Sequence, residues 1–323
     1  MIIQDKVYGE VEINDPLLIE LNRCKPVQRM NGVWQGGVSS LITPFDCATR
    51  YEHCVGAMIV LRKNGAPIEE QAAGLLHDIG HTAFSHVIDV VFREYNNNYD
   101  DAHLEMIIEQ SEIPSITEKY GLDWKKLAHK EQFTMLEQPL PKLCADRIDY
   151  TLRDGRSFST PVQREEIIQD LTSYQGEFAF KTKKGALAFT ALFNETNKRI
   201  WTNLRHGLGY EILAEAVRHT LQDGIITEKD LYLTDAEVLK KMKESENPIV
   251  QRNISRLTPR LQAEIDAEKP DYFHRFKHRK IDPLVWDGTT ARPLSQLDEV
   301  QYTHIFNIPA TSAQEVPLRF SQS

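Results

Sequence analysis

Two features that would decide the cellular setting are missing from this sequence: a long apolar run and a paired-cysteine pattern. No apolar stretch approaches the roughly 20 residues that a membrane-spanning helix needs, and residues 1–15 lack the basic-then-apolar order of a secretion signal. The 4 cysteines, Cys24, Cys47, Cys54 and Cys144, include no CxxC pair, which favours reduced thiols over a disulfide framework. We therefore expect a cytoplasmic protein without a membrane partner.

Positive charge is also scarce. Lys and Arg number 38 against 47 Asp and Glu, a net charge of −9, so the chain is a poor candidate for coating a nucleic-acid duplex. One basic cluster stands out, HRFKHRK at 274–280, with Arg275, Lys277, Arg279 and Lys280. A single-stranded nucleic-acid binder built on this cluster is one hypothesis, but the basic-aromatic stripe of such binders is absent. The cluster fits contact with a polyphosphate or a neighbouring subunit, or a solvated turn, equally well.

The spacing of apolar residues predicts a mainly α fold. Helical patterns cover 51–63, 85–95, 102–110, 139–153 and 186–222, a further helix runs from Pro67 to a bend at Gly80, and capped starts lie at Thr160 and Thr234. Short strands or hairpins are expected near 6–13, 178–189 and 281–308. We predict an N-terminal segment (1–49) packed on a helical core (50–222), and a smaller mixed α/β C-terminal lobe (223–323).

Histidine is concentrated in one part of the chain. Five of the 11 histidines fall between 53 and 103, where even spacing over 323 residues would place fewer than two: His53, His77, His81, His86 and His103. Carboxylates are interspersed among them. Clustered histidines and carboxylates indicate a metal or catalytic site.

Two of these histidines combine with two aspartates into a mixed nitrogen and oxygen ligand set: His53, His77, Asp78 and Asp146. Such a set suits a divalent ion of intermediate hardness, such as Mn, Fe, Co, Ni or Zn. The consecutive pair His77-Asp78 can bind one ion only at a helix end or bend, which Gly80 would supply. Taken alone, an aspartate such as Asp146 is most often an ion-pair partner, here of Arg147 or Arg50.

Three motifs give these residues a family context. TRYEHCVG (49–56), LLHDIGHTAFSH (75–86) and ADRIDYTLRD (145–154) resemble the three signatures of the HD-domain metal-dependent phosphohydrolases. They are most similar to the branch that contains the deoxynucleoside triphosphate triphosphohydrolases and the SAM-and-HD-domain proteins. The resemblance covers about residues 5 to 222, and it implies a helical HD-domain core with a few short β-hairpins.

The resemblance also implies residue roles. One divalent ion (Mn, Fe, Co, Ni, Zn or Mg) would be bound by His53, His77, Asp78 and Asp146. The substrate would contact Arg50, through a phosphate, together with Gln35, Tyr150 and Asp154. Catalysis would involve His81, His86, Asp89 and His103, with Asp89 and His103 as a pair.

The expected function is therefore metal-dependent hydrolysis of a nucleotide or related phosphate ester, similar to triphosphate release from a deoxynucleotide, by attack of a metal-activated water on phosphorus. The alternatives are a nucleotide phosphomonoesterase or phosphodiesterase using the same site, and a catalytically silent nucleotide-binding regulator. We also expect a homo-oligomer.

Some residues depart from the family pattern. Asn31 stands where the family's nucleotide-activated members have an arginine that binds a regulatory nucleotide. Leu204 stands where they have a tyrosine that faces the substrate. Another phosphate pocket could come from the polar residues Arg199, Asn203, Arg205 and His206, which fit an exposed face equally well.

Overall fold

The computed structural model describes residues 1–43, 47–93, 99–277, 279–306 and 315–321, and it confirms a mainly α fold with short strands. The helices are α1 (Pro16–Arg23), α2 (Lys25–Arg29), α3 (Ser39–Ile42), α4 (Arg50–Lys63), α5 (Ile68–Leu76), α6 (Val87–Val91), α7 (Tyr99–Glu109), α8 (Ile113–Lys119), α9 (Trp124–Leu127), α10 (Ala145–Asp154), α11 (Pro161–Asp170), α12 (Lys183–Thr196), α13 (Leu204–Gln222), α14 (Asp235–Lys243), α15 (Pro248–Arg256), α16 (Leu294–Leu297) and α17 (Glu299–Ile305).

The strands form three small sheets. They are β1 (Ile2–Asp5), β2 (Gly9–Glu12), β3 (Leu171–Tyr174), β4 (Glu177–Phe180), β5 (Ala263–Ile265), β6 (Tyr272–Arg275), β7 (Leu284–Trp286), β8 (Ala291–Pro293) and β9 (Glu315–Phe320). β1 and β2 form an antiparallel hairpin, the order β3-β4-β7-β8 gives a second sheet, and β5-β9-β6 gives a third. Because β4 and β7 pair in parallel, residues after 280 extend a sheet that begins near residue 171.

Helix α4 lies at the centre of the molecule. It begins with a capping box in which Thr49 and Glu52 satisfy each other's backbone N–H groups. Every residue from His53 to Leu61 is buried, so the helix contacts protein on all sides. It packs against α5 on one side and α10 on another. This arrangement brings the three sequence motifs together.

The apolar core has two parts. The larger cluster surrounds α4, α5, α10 and α12, and includes Leu76, Ile148 and Phe189. The second cluster packs α13 against α6, α14 and the β5-β9-β6 sheet, and includes Phe84 and Leu318. The segment between His77 and Asp89 therefore runs from one core to the other.

Three expectations about element boundaries are wrong. The helix predicted over 139–153 begins only at Ala145. The hairpin expected around Lys183-Lys184-Gly185 is the first turn of α12, because the Thr182 side chain accepts a hydrogen bond from the N–H of Gly185 and caps a helix there. The actual turn between β3 and β4 is Gln175-Gly176, where both residues have positive φ.

The long helix expected over 186–222 is two helices. A wide π-helical turn at Asn197–Trp201 follows α12, and the Asn203 side chain then caps α13 by accepting from the N–H of Arg205. The interruption places Trp201 between the two helices. The predicted starts at Thr160 and Thr234 are confirmed, since both residues form capping boxes.

None of the helices described in this structure is long and apolar enough to cross a membrane.

Candidate metal centre

Three side chains of the predicted ligand set, those of His53, His77 and Asp146, place ligand atoms within 4.8 Å of one another, and Asp78 lies beside the two histidines. The Nε2 atom of His53 lies 3.0 Å from Oδ1 of Asp146 and 3.2 Å from Nε2 of His77. The same His53 atom is 3.5 Å from Oδ2 of Asp78. Ligands around one divalent ion at about 2.1 Å are separated by similar distances, so the spacing fits a shared ion.

The two imidazoles are oriented by their other nitrogens. Nδ1 of His53 donates to Oδ2 of Asp149 at 2.7 Å, and Nδ1 of His77 donates to the carbonyl oxygen of Gly74 at 2.8 Å. Because a carbonyl oxygen can only accept, the proton of a neutral His77 ring is on Nδ1. Both Nε2 atoms then present lone pairs to the same point, as metal-binding histidines do.

Negative charge dominates the surroundings of these rings. Burial opposes protonation of His53, but hydrogen bonds to Asp146 and Asp149 and the charge of Asp78 outweigh it and raise the pKa of His53 to about 9. The pKa of His77 is also raised, chiefly by Asp78 and Asp146 working against burial. A field that favours a proton on an imidazole also favours a cation between the rings. The donor set therefore fits a divalent ion.

The carboxylate behind His53 belongs to a buried polar chain. Asp149 also accepts hydrogen bonds from the Tyr8 hydroxyl at 2.9 Å and from two nitrogens of Arg153, each at 2.9 Å. Arg153 in turn pairs with Asp5 at 3.0 Å. The turn of the β1-β2 hairpin thereby holds the residue that orients His53.

Close packing requires a glycine at the end of the first motif, at position 56. A Cβ atom at this position would lie 1.9 Å from Oδ1 of Asp149 and 2.3 Å from Nη2 of Arg153. Such contacts are impossible without movement of the buried chain. The glycine lets α10 approach α4 closely enough for Asp149 to reach His53.

We expect Asp149→Asn to weaken metal binding about 10- to 100-fold, because the amide cannot hold the His53 ring as a carboxylate does. A chelator-competition titration with Mn²⁺ would measure this. Asp5→Asn is the comparison variant one contact further away: Asp5 contacts Arg153 and the turn but not His53, so we expect a smaller loss of metal affinity. Equal metal affinity in wild type and Asp149→Asn would contradict the orienting role.

Arg50 approaches the ligand set from the start of α4. Its Nη1 atom pairs with Oδ2 of Asp78 at 2.6 Å, its Nε donates to the Ser85 hydroxyl at 3.1 Å, and its Nη2 donates to the Gln35 carbonyl at 3.3 Å. This pair is almost fully buried. Although burial works against the charge, the Arg50 guanidinium and the neighbouring imidazoles hold the pKa of Asp78 well below its usual value.

The loop that carries Ser85 is held by a residue of the C-terminal lobe. Phe84 and Ser85 both have positive φ, which is uncommon for side chains of this kind. The N–H of Phe84 donates to Oδ1 of Asp235 at 2.9 Å, and the N–H of Trp34 donates to Oδ2 at 3.3 Å. Asp235 is buried at the first position of α14. It thereby ties the loops on both sides of Arg50 together.

Burial raises the pKa of Asp235 from its usual 3.8 to about 7, although the backbone N–H groups and the charges of Arg50 and Arg29 oppose the shift. From about pH 4 to pH 7, the unfolded chain therefore loses a proton that the folded chain keeps, and wild-type stability falls as pH rises through this window. Asp235→Asn lacks this proton. We expect the wild type to lose stability relative to the variant between pH 5 and 8, as measured by urea unfolding. Parallel curves would show that burial does not raise this pKa.

The predicted catalytic residues form two groups. Nδ1 of His86 lies 2.9 Å from Oδ2 of Asp89, and the His86 ring packs edge-on against His81, with centroids 5.0 Å apart. His81 is buried with Nε2 3.6 Å from Asp78, and burial together with the Arg50 charge lowers its pKa well below the usual value. The structure thus links this group to the ligand set.

His103 lies on α7. Its Nδ1 atom is 2.7 Å from the carbonyl oxygen of Tyr99, and its ring stacks on the Tyr99 ring. Asp89 has His86 as its described imidazole partner, whereas the pairing with His103 stays a prediction. Burial opposes ionisation of Asp89, yet the hydrogen bond to His86 and the charges of His86 and Lys277 keep its pKa below the usual value.

Tyr150 and Asp154 meet at a tryptophan. The Trp201 indole N–H donates to Oδ2 of Asp154 at 2.8 Å, and the Tyr150 ring packs edge-on against Trp201, with centroids 5.0 Å apart. Both residues lie on α10, which also carries Asp146. Gln35 lies beside Arg50, and its buried Oε1 atom has no hydrogen-bond partner among the described residues. It is therefore a buried acceptor whose hydrogen-bonding capacity is unused by the described residues.

The four polar residues of the 199–206 stretch have structural contacts. Arg199 pairs with Glu195, Asn203 caps α13, the Arg205 guanidinium donates to the carbonyl of Pro259, and Nδ1 of His206 lies 2.7 Å from the carbonyl of Ile200. These contacts engage the four side chains within the protein. Arg199 is exposed but His206 is buried, so the four residues do not form one exposed polar face.

Sequence reasoning missed Tyr8, Asp149, Trp201 and Asp235. Asp149 could have been found, because it lies three residues after Asp146 within the third motif and so on nearly the same helix face. The other three lie more than 45 residues from their partners in sequence, and no local pattern marks them.

Comparison with known proteins identifies relatives. The sequence profile of the HD domain matches residues 50–154. The chain is 38% identical over 289 residues to the uncharacterized protein YdhJ of Bacillus subtilis, covering 88% of this chain and 89% of that protein. It is 33% identical over 304 residues to the metal-dependent phosphohydrolase cns2 of Cordyceps militaris, covering 91% and 87%.

Two more distant similarities are informative. The deoxynucleoside triphosphate triphosphohydrolase SAMHD1 of Gallus gallus is 28% identical over 144 residues, which cover 38% of this chain and 23% of that protein. The crystal structure of a phosphohydrolase from Bacteroides thetaiotaomicron superposes with a TM-score of 0.70 at 19% identity, and covers 100% of both chains. At this identity the superposition establishes the shared fold.

Proposed function

The chain belongs to the HD-domain family of metal-dependent phosphohydrolases. From that membership we propose that it hydrolyses a deoxynucleoside triphosphate at the ester bond between the 5′ oxygen and the first phosphorus, and releases the deoxynucleoside and triphosphate. The observation that carries the proposal is the convergence of His53, His77, Asp78 and Asp146 next to a buried arginine and an Asp–His pair. A divalent ion at this point supplies a Lewis acid for a phosphoryl oxygen and lowers the pKa of a water molecule.

The chain's own residues have separate tasks in this proposal. Asp149 and the Gly74 carbonyl fix the two imidazole rings, so that both Nε2 atoms face the point where the ion would be bound. Arg50 keeps Asp78 ionised. His86, oriented by Asp89, holds a proton that it donates to the leaving 5′ oxygen of the sugar.

The choice of a nucleotide rests on the distant similarity to SAMHD1 and on the polar groups around the site. The Oε1 atom of Gln35, which is buried and has no hydrogen-bond partner among the described residues, is an acceptor of the kind that a sugar hydroxyl needs. Tyr150 and Trp201 offer aromatic surface on the α10 side. A sugar or base placed between these groups would leave its phosphates near Arg50 and the ligand set.

A phosphate-release screen tests this function. The full chain is assayed with each of Mn, Mg, Co, Ni, Fe and Zn against deoxynucleoside and ribonucleoside tri- and monophosphates and cyclic phosphodiesters, and products are resolved by anion exchange. We expect deoxynucleoside and intact triphosphate. Inorganic phosphate from monophosphates would instead identify a phosphomonoesterase, and a linear nucleotide from cyclic substrates a phosphodiesterase. Tight nucleotide binding without turnover would identify a silent regulatory protein.

Homo-oligomerisation and a cytoplasmic location also stay proposals. Sedimentation of the metal-loaded chain, with and without nucleotide, tests the first.

A further inference from the structure

The arginine that the family resemblance assigns to substrate phosphate is already engaged by the protein. Arg50 donates to Asp78, Ser85 and the Gln35 carbonyl through three of its nitrogens. Its charge is opposed by a carboxylate 2.6 Å away, in a pair that is nearly inaccessible to solvent. Arg50 therefore contributes little uncompensated positive charge for a chain of three phosphates.

A second guanidinium reaches this region from the basic cluster at 274–280. The Cζ atom of Arg279 lies 5.7 Å from the centroid of the Trp201 ring. Among the described residues Arg279 has no hydrogen bond and no ion-pair partner, and its side chain is half-buried. A cation placed over an aromatic face with free donors can still bind an anion.

Trp201 connects Arg279 to the metal centre. Its indole N–H is held by Asp154, and its ring contacts Tyr150, one helical turn after Asp146. Burial raises the pKa of Tyr150, and the positive charge of Arg279 acts against this rise. Burial likewise raises the pKa of Tyr210 to about 12, against the charges of Arg50 and Arg279. Arg279 is thus electrostatically close to residues on both α10 and α13 that surround the site.

We propose that Arg279 binds the phosphates of the substrate that lie beyond the cleaved ester bond, and so selects a polyphosphate chain over a single phosphate. The inference rests on the proposed function, and it assigns a substrate-binding role to the C-terminal lobe. A planar guanidinium with free N–H groups matches two phosphate oxygens at once. The Trp201 ring limits where the side chain can go, which reduces the entropy lost on binding.

The adjacent residue provides a matched control. Nζ of Lys280 lies 4.6 Å from the Tyr302 ring and 5.5 Å from the Phe306 ring, away from Trp201. Arg279→Gln and Lys280→Gln remove the same charge from neighbouring positions of one segment. Only the first removes a cation from the Trp201 side.

The test uses the full metal-loaded chain and two readouts. We expect Arg279→Gln to raise KM for the deoxynucleoside triphosphate about 10- to 100-fold with little change in kcat, because it removes hydrogen bonds to a charged group. Calorimetric titration with inorganic tripolyphosphate should show a similar loss of affinity. Arg279→Lys should recover part of it, and Lys280→Gln should match the wild type. Metal content and hydrolysis of nitrophenyl phosphate should be unchanged.

Two results would overturn the proposal: wild-type affinity of Arg279→Gln for tripolyphosphate, or equal losses in Arg279→Gln and Lys280→Gln. The second would mean that net charge alone attracts the anion. The calorimetric readout is independent of turnover. If the wild type cleaves only monophosphates and binds no tripolyphosphate, the proposed function and the role of Arg279 both fail. If it cleaves triphosphates with Arg279→Gln unaffected, only Arg279 is wrongly assigned.

Discussion

Asp146→Ala should lose bound metal and activity together. Oδ1 of Asp146 is 3.0 Å from Nε2 of His53 and 3.6 Å from Nε2 of His77, so alanine removes one of the two carboxylates of the set. Replacing a residue that hydrogen-bonds to a metal ligand lowers metal affinity about 10- to 100-fold, and loss of the ligand itself should lower it more than about 100-fold. Metal content after dialysis and kcat/KM at saturating Mn²⁺ are the measurements.

Glu137→Gln is the control for Asp146→Ala. Glu137, Cys144 and Asp146 each place one potential ligand atom within 4.8 Å of the others, so Glu137 is a carboxylate beside the set but outside it. Burial and the charge of Asp146 raise the pKa of Glu137, and glutamine preserves its shape. We expect this variant to keep its metal. If it loses metal as completely as Asp146→Ala, or if Asp146→Ala retains metal and normal turnover, the ligand assignment is wrong.

His86→Ala should retain metal and fold but lose about two to four orders of magnitude in kcat, the usual contribution of a general acid. The ring is about 3 Å from an ionised carboxylate, Asp89, which fixes its orientation. The loss should be much smaller for nitrophenyl phosphate, whose leaving group departs without a proton. Rates on both substrates, with metal content and circular dichroism as checks, measure the effect.

His103→Ala distinguishes His86 from His103 as the general acid. Because Nδ1 of His103 is held by the Tyr99 carbonyl and the described partner of Asp89 is His86, we expect a smaller loss in this variant, with equal effects on both leaving groups. A loss confined to the poor leaving group in His103→Ala, and absent from His86→Ala, would restore the Asp89–His103 pair as the acid.

The fold class could be predicted from the sequence because α4, α5 and α10 carry strong local signals. The capping box at Thr49 and the acidic first turn of α5 are local features, whereas α5 ends at Leu76, before the bend expected at Gly80. The single long helix over 186–222 was predicted wrongly, because a π turn preserves apolar spacing on either side of the break. At that turn Trp201 packs edge-on against Tyr150 and Phe193, and the contact with Tyr150 is one that local spacing does not record.

The grouping of the four predicted ligand residues was predictable for a different reason. His53 and Asp146 lie on α4 and α10, and His77 and Asp78 lie in the turn directly after α5, so each motif fixes the place of its residues locally. Asp235 and Arg279 each contact a residue more than 75 positions away in the sequence, and no local pattern indicates either contact. Burial of a carboxylate or the freedom of a guanidinium is a property of the folded chain.

The contacts of Asp149 and Asp235 indicate whether residues 50–154 could be transferred to another protein with the site intact. That segment contains the four ligands, but Tyr8 and Asp5 reach it from the first hairpin and Asp235 reaches it from α14. A chimera that exchanges 50–154 between two relatives would inherit the ligands and lose their matched supports. Transplanting the site into another scaffold would therefore require three discontinuous pieces of chain, the hairpin turn, the motif helices and the start of α14, to be moved as one unit.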